Sequence, residues 1–397
     1  MTSHPLHPVG LKSQAVNFQA LPPLSLYIHI PWCVRKCPYC DFNSHEARAA
    51  FPEQQYVAAL VRDLELALPQ IWGRKVYTVF FGGGTPSLLS GESVAEILRQ
   101  VRMLLPLALD AEITLEANPG TVEAERFAAY RDAGVNRLSL GIQSFDDAHL
   151  KALGRIHSAE EARRAIGIAQ QHFDNINLDL MYALPQQTLE QALQDVRTAL
   201  SFAPQHLSCY HLTLEPNTLF HRNPPSLPDD DASAEMQQRI EELLAQHGYE
   251  HYETSAFARR RAKHNVNYWQ FGDYLGIGAG AHSKLSFPDK VLRQMRYKQP
   301  QAYLDAVSRD VPVQEEHEVA AADLPFEFMM NALRLTEGFD SALFQERTSL
   351  PLLVIRRELE QAEKRGLLVR DGQRIAPTLQ GQRFLNDLLE IFLRDAP

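Results

Sequence analysis

From residue 24 onward, short apolar runs rich in Val, Ile, Tyr and Phe alternate with amphipathic segments, and this alternation constrains the fold more than any other feature of the chain. The runs are LSLYIHI (24–30), VYTVFF (76–81), EITLEA (112–117), RLSLGI (137–142), NINLDLMY (175–182) and HLSCYHL (206–212). Their lengths and bounding turn residues mark them as strands. Between them Tyr56, Ala59, Leu60, Leu64 and Leu68, then Val94, Ile97, Leu98, Val101 and Leu105, recur at the spacing of a helix face; Phe127, Tyr130, Ala162, Ile166 and Ala169 continue the pattern. Six such alternations predict a parallel sheet with helical crossovers, as a barrel, a partial barrel or a doubly wound sheet. In all three, ligands collect beyond the carboxyl ends of the strands. The polar residues follow that rule. PWCVRKCPYC follows the first run, GGGTP the second, Glu116 and NPG the third, Gln143 and Ser144 the fourth, and Asp179 and Tyr182 end the fifth. One mouth holding one large polar ligand set is the expectation.

After residue 213 the alternation stops. PNTLFHRNPPSLPDDDAS (216–233) reads as a surface connection, followed by a helix near 234–247, a strand-like YEHYETSAF, the aromatic and Gly-rich HNVNYWQFGDYLGIGAGAHS (264–283), and a helix around Pro300 to Ser308. The last 70 residues predict helices at 325–336, 351–365 and 378–394 around LLVRDGQRIAPT, whose Asp-Gly turn joins two short strands. Helices with such a hairpin make a winged-helix-like module. The expected organisation is an N-terminal extension (1–23), a (β/α)6 core (24–215), a barrel extension (216–320) and a C-terminal winged-helix-like α-helical domain (321–397). From Gly338 to Pro397 nine Lys or Arg face nine Asp or Glu, and the 397-residue chain carries a net charge of -10. That balance speaks against a nucleic-acid-binding surface. No run approaches the roughly 18 apolar residues of a membrane helix, and residues 1–23 lack a basic segment followed by an apolar one. A soluble, cytoplasmic protein is expected.

Three of the four cysteines, Cys33, Cys37 and Cys40, fall within eight residues. Thiolates spaced C-x3-C-x2-C on a loop after a buried strand converge on one soft metal centre. On a 4Fe-4S cluster they leave one iron without a protein ligand, free for a small molecule. A zinc site with His45 as fourth ligand is the alternative these residues leave open, whereas three clustered thiols in a reducing compartment make a poor disulfide set. Cys209, alone on an apolar strand, reads as a small buried hydrophobe.

YIHIPWCVRKCPYCDF resembles the signature of radical S-adenosylmethionine (radical SAM) proteins, and FFGGGTPS, EANPG, LSLGIQSF, GRIH, NLDLMYALPQQ, HNVNYW and GIGAGAHS resemble one branch of them. That branch holds oxygen-independent coproporphyrinogen III oxidase and its haem-chaperone relatives, and the likeness runs from about Leu24 to Phe392. The resemblance implies an α/β fold: a partial (β/α)6 TIM-type barrel with the winged-helix-like domain appended. It further implies a 4Fe-4S cluster on Cys33, Cys37 and Cys40, with SAM on its open iron. Tyr27, Tyr39, Gly83, Gly84, Thr85, Glu116, Gln143, Arg155 and Asp179 then become SAM-site residues. Gly82 belongs to the same turn, and some of these positions serve a second SAM in the family.

Two departures point away from the oxidase. Its motif carries a further cysteine two positions after the third, where this chain has Phe42, and its longer N-terminal extension is missing, since 26 residues precede Tyr27. HNVNYW matches the H-N-x-x-Y-W motif that the resemblance associates with haem, which makes His264 the expected haem-binding residue, with Tyr268, Trp269, Phe271 and Tyr274 as an aromatic wall. His282 is expected to approach the SAM site. The reading is a haem chaperone with cluster, SAM and haem as cofactors. Its partners are haem-accepting proteins such as respiratory enzymes at the membrane surface, and a homodimer is allowed. Oxidative decarboxylation of coproporphyrinogen III is the alternative.

Overall fold

Alternation along each strand decides how the sheet is used. In the computed structural model, which describes residues 16–47, 51–120 and 126–393, six strands run parallel in chain order. They are β1 (Leu24–Ile30), β2 (Val76–Gly83), β3 (Leu107–Ala117), β4 (Arg137–Gln143), β5 (Ile176–Tyr182) and β6 (His206–His211), each paired with its predecessor. Leu24, Leu26, Ile28 and Ile30 of β1, Val79 and Phe81 of β2 and their equivalents join the main apolar core with the helices outside. Alternate residues point the other way, into a polar lumen. The predicted strands are all present; β3 starts five residues earlier than expected, after a register shift against β2.

Helices α1 (Glu53–Ile71) and α2 (Gly91–Leu104) form the first two crossovers. Ser90 caps α2 through Ser93 N–H, and Ser158 with Glu161 forms a capping box on Ala159–His172. The sheet does not close, so the barrel is partial. A parallel strand, Asp273–Ile277, adds beside β1 and is followed by antiparallel strands His282–Phe287, Lys290–Arg296 and Val313–Glu318. At the other edge YEHYETSAF is not one strand but a hairpin, Glu250–Glu253 and Ala256–Ala258, paired with β6. HNVNYW lies in a helix, Lys263–Trp269.

The C-terminal region has its own core, in which Phe328 meets Phe339 and Phe344 edge-on. The expected wing is present as Leu368–Asp371 and Arg374–Pro377, joined through Gly372 at φ 58° and extended by Phe339–Asp340. The long helix expected at 378–394 is instead two short ones, Leu379–Arg383 and Leu385–Glu390, broken at Phe384. Residues 1–15 of the expected N-terminal extension and Arg394 lie outside the described residues.

The extension is locked to the barrel by a buried charge. Asp63 on α1 accepts from Arg296 (3.1 Å), from the Tyr303 hydroxyl (3.0 Å) and from Gly278 N–H (3.2 Å), and both charged side chains are fully enclosed. Removing one partner of such a pair leaves an uncompensated charge. Asp63→Ala should therefore cost about 3–5 kcal/mol, read as a lowered midpoint in urea unfolding. A loss under 1 kcal/mol would contradict this account.

Candidate functional site

The mouth of the barrel opens onto a cavity of about 500 Å³, walled on one side by the loop after β1 and on the others by the inner faces of β2 to β6. That loop is tied down locally. Trp32–Cys33 bridges in parallel to His45–Glu46, Lys36 donates its ammonium to the Phe42 and Ser44 carbonyls, and Cys40 N–H bonds to Cys37 O. Cys33, Cys37 and Cys40 all line the cavity, half-buried, alongside Arg35, Asp41 and Phe42. Burial pushes the Cys33 and Cys40 thiols up, opposed by hydrogen bonding to Thr85 and Ser44 at Cys33 and to Phe42 and Ser44 at Cys40. Among the described residues no three Cys, His, Asp or Glu side chains enclose a point for a single ion. The thiols instead share the wall of a larger space, and His45 serves as the bridge partner of Trp32.

Across the cavity stand most of the residues anticipated for SAM. Gly83 has φ 114°, and a Cβ there would fall 2.5 Å from the His29 ring, so only glycine lets β2 end this way. Its N–H donates to Glu116 Oε2 at 3.2 Å. Gly84 and Thr85 follow, with the Thr85 hydroxyl accepting from Asn118 Nδ2 (3.0 Å). Asn118 Oδ1 in turn accepts from Arg155 (2.6 Å), which also donates to Gly141 O (2.8 Å) and reaches Cys37 Sγ at 3.7 Å. Arg155 is thus a cavity residue rather than a surface ion pair. Gln143 turns the chain at φ 67° where β4 ends. Tyr39 packs at a tilt on Phe220, 6.3 Å between ring centres, and burial holds its phenol protonated.

Two carboxyls face each other's field in this crowded space. Desolvation, then the proximity of Asp179, pushes Glu116 up to about 8. Burial also raises Asp179, which accepts from Asn177 (2.8 Å) and Ser139 (3.1 Å). Such groups favour a cationic ligand, whose charge would draw out their protons. Three thiols on one wall and glycine backbone, amide and carboxyl groups opposite fit a 4Fe-4S cluster with an amino-acid-like ligand on its open iron.

Other expectations need correction. Tyr27 does not line the cavity: its hydroxyl donates to His29 Nδ1 (3.0 Å), whose Nε2–H donates to Asn43 O (2.9 Å), and its ring stacks on Phe80. Phe80 presents the aromatic face instead. His282 is exposed on its strand, outside the cavity wall. Cys209 is buried, as expected.

His264 also sits behind the wall. Thr78 gives its proton to Ser25 Oγ (2.8 Å) and so accepts from His264 Nδ1–H (2.7 Å), while the imidazole stacks on Phe80 at 4.8 Å. Nε2 is left buried and without a partner among the described residues. Burial, with Arg137 adding, lowers the imidazole to about 3. The anticipated aromatic wall divides. Tyr268 meets His264 edge-on and Tyr274 meets Tyr268, but Trp269 lies under the Arg334 guanidinium and Phe271 belongs to the C-terminal core. Asn118, in the NPG segment expected at the mouth, lines the cavity, as do Ser139, Asn177, Ser208, Tyr210 and Asn265, which were not anticipated. Ser139, Asn177, Ser208 and Tyr210 follow from extending the period-two alternation through the strand ends; Asn265 comes from a helix and had no such signal.

The Radical SAM superfamily model matches residues 27–199, and the HemN C-terminal domain model matches 319–384. The solved structure of coproporphyrinogen III oxidase (HemN) from Escherichia coli aligns with a TM-score of 0.80 over 94% of this chain and 90% of that one, at 24% identity, a likeness of fold. Fold and site together define a radical SAM protein. Heme chaperone HemW of Escherichia coli (strain K12) is 50% identical and that of Haemophilus influenzae 48%, each alignment covering 94% of this chain and 99% of the relative. The chain belongs to the HemW family.

A carboxyl raised by burial has a defined linkage. The folded state keeps the Glu116 proton up to about pH 8, whereas the unfolded chain releases it near 4.5. Glu116 therefore destabilises the apoprotein increasingly as pH rises between those values. Glu116→Gln should melt at a higher temperature than the parent, and the gap should widen from pH 5 to pH 8.5. A gap independent of pH would refute the raised carboxyl.

Proposed function

We propose that this protein is a haem chaperone that carries a 4Fe-4S cluster on Cys33, Cys37 and Cys40 and SAM in the barrel mouth, and passes haem to haem-requiring proteins such as respiratory enzymes. The arrangement of three thiols facing Gly83, Gly84, Thr85, Glu116, Gln143, Arg155 and Asp179 across one cavity carries the cluster and SAM part of the reading. The cluster, when bound, supplies an open iron for the amine and carboxylate of SAM and an electron for its sulfonium. Glu116 and Asp179 offer protonatable acceptors to the ligand's cationic groups, and Gly83 allows the backbone to approach them closely.

Two relatives about half identical to this chain are named heme chaperones, which supports the haem part. In this protein the candidate ligand is His264. Thr78 fixes the Nδ1–H tautomer, leaving the Nε2 lone pair for iron. Phe42, where the oxidase motif has its further cysteine, stands 61% exposed at the cavity rim. That substitution favours the chaperone over decarboxylation.

Anaerobic reconstitution should yield about four iron and four sulfide per chain, and Cys37→Ala should lose them; tightly bound zinc without sulfide would overturn the cluster assignment. Haem titration should give one Soret-absorbing equivalent per chain, abolished in His264→Ala. The same preparation, reduced and supplied with SAM, should leave coproporphyrinogen III unconverted. Turnover without stoichiometric haem uptake would instead establish the oxidase.

A further inference from the structure

Below the mouth, the lumen floor carries a cation without a direct partner among the described residues. Arg137, the first residue of β4, is 2% exposed, and its side chain lines the cavity. Among the described residues its guanidinium makes no hydrogen bond and no carboxylate lies within ion-pair distance; Nε is enclosed outright. The other deeply buried cations are served. Lys284 has Asp273 at 2.9 Å, Arg296 has Asp63 at 3.1 Å, and Arg155 has Asn118 and Gly141 O. Glu116 and Asp179 feel its charge, but neither reaches it directly. Burying guanidinium N–H groups without hydrogen-bond partners is unfavourable unless something not part of the chain completes them.

Arg137 is not alone in lacking a partner. Thr114, its cross-strand neighbour on β3, has an enclosed hydroxyl without one, as have Glu112 Oε2 and His264 Nε2. Glu112 Oε1 accepts His264 N–H at 3.2 Å, which puts the two on the same floor. Buried polar atoms are almost always satisfied; of these four groups Arg137 alone lines the cavity, so it is the one that a ligand or water entering there would complete. From Arg137 to Gln143 β4 rises about 20 Å, so the floor lies well beneath the mouth. Phe80 stands level with Arg137, Glu116, Ser139, Asn177 and Asp179 line the walls above it, and Met181, Tyr210 and Leu212 stand at the mouth. A ligand reaching Arg137 thus carries an anionic arm past polar walls.

We propose that Arg137 is the anchor for a carboxylate arm of the ligand that enters the barrel, and, resting on the haem reading above, that this arm is a propionate of haem. The planar guanidinium meets a carboxylate with two parallel N–H donors, which an ammonium at the same place cannot do. Esterifying the carboxylate removes both the charge and the bidentate fit.

Haem and haem dimethyl ester, titrated in parallel into the cluster-loaded full-length protein and followed by Soret absorbance, test this directly. The parent should bind the free acid at least tenfold more tightly than the diester. Arg137→Gln should bring the two within twofold, chiefly by weakening the free acid, and Arg137→Lys should retain part of the preference. Equal binding of acid and ester by the parent overturns the anchor, leaving the floor to water; so does an undiminished preference in Arg137→Gln. Should that variant fail to fold, the comparison on the parent protein still decides. Absence of binding by either compound overturns the haem reading itself, whereas haem binding without discrimination overturns only the role of Arg137.

Discussion

Everything at the barrel mouth depends on polar and ionisable groups being crowded together by protein inside a half-closed ring of parallel strands. Water would equalise Glu116 and Asp179 with ordinary carboxyls; enclosure raises both and makes them responsive to a ligand's charge. The same enclosure costs free energy at each unpaired polar atom, so the lumen is knitted together where it can be. Asn177 joins Ser139 and Asp179 to His206, and His206 is closed off on its far side by the Tyr252 hydroxyl. The groups left out of this network are the ones that call for a ligand.

The extension beyond the six strands supports the site although it supplies little of its wall. Tyr56 donates to His29 O and accepts from Ala279 N–H, while Asn43, on the cysteine loop, donates to the Ala279 and Lys298 carbonyls. The loop holding Cys33, Cys37 and Cys40 is therefore braced from behind by the Gly-rich turn of GIGAGAHS. Gly278 is needed there, at φ 101°, because a Cβ would strike the His29 carbonyl at 2.5 Å. The motif that the sequence offered as a direct approach to SAM acts at one remove, through backbone contacts.

Legibility in the sequence followed the range of the interaction. The strands were readable because their apolar outer faces are written locally, and the cysteines because ligand spacing is local too. Glu116, Gln143 and Asp179 were found as polar residues at strand ends, where the fold rule places ligand contacts. Tyr27 was misplaced because strand alternation says that it points inward but not how deep the cavity reaches or that Phe80 stands in front. Phe271 was misassigned because a left-handed residue, φ 54°, turns its ring toward the C-terminal core, and nothing in the local pattern announces that turn.

By itself the sequence determined the class of fold, the three thiols, and the side of the sheet on which ligands gather, since periodicity, spacing and the position of polar residues are properties of neighbouring positions. Only the tertiary structure decided which inward residues share one cavity, that His264 is held by Thr78 behind Phe80, and that Arg137 stands at the floor without a hydrogen bond among the described residues. Those facts depend on distances between strands and helices far apart in the chain, and on how completely they shut out water.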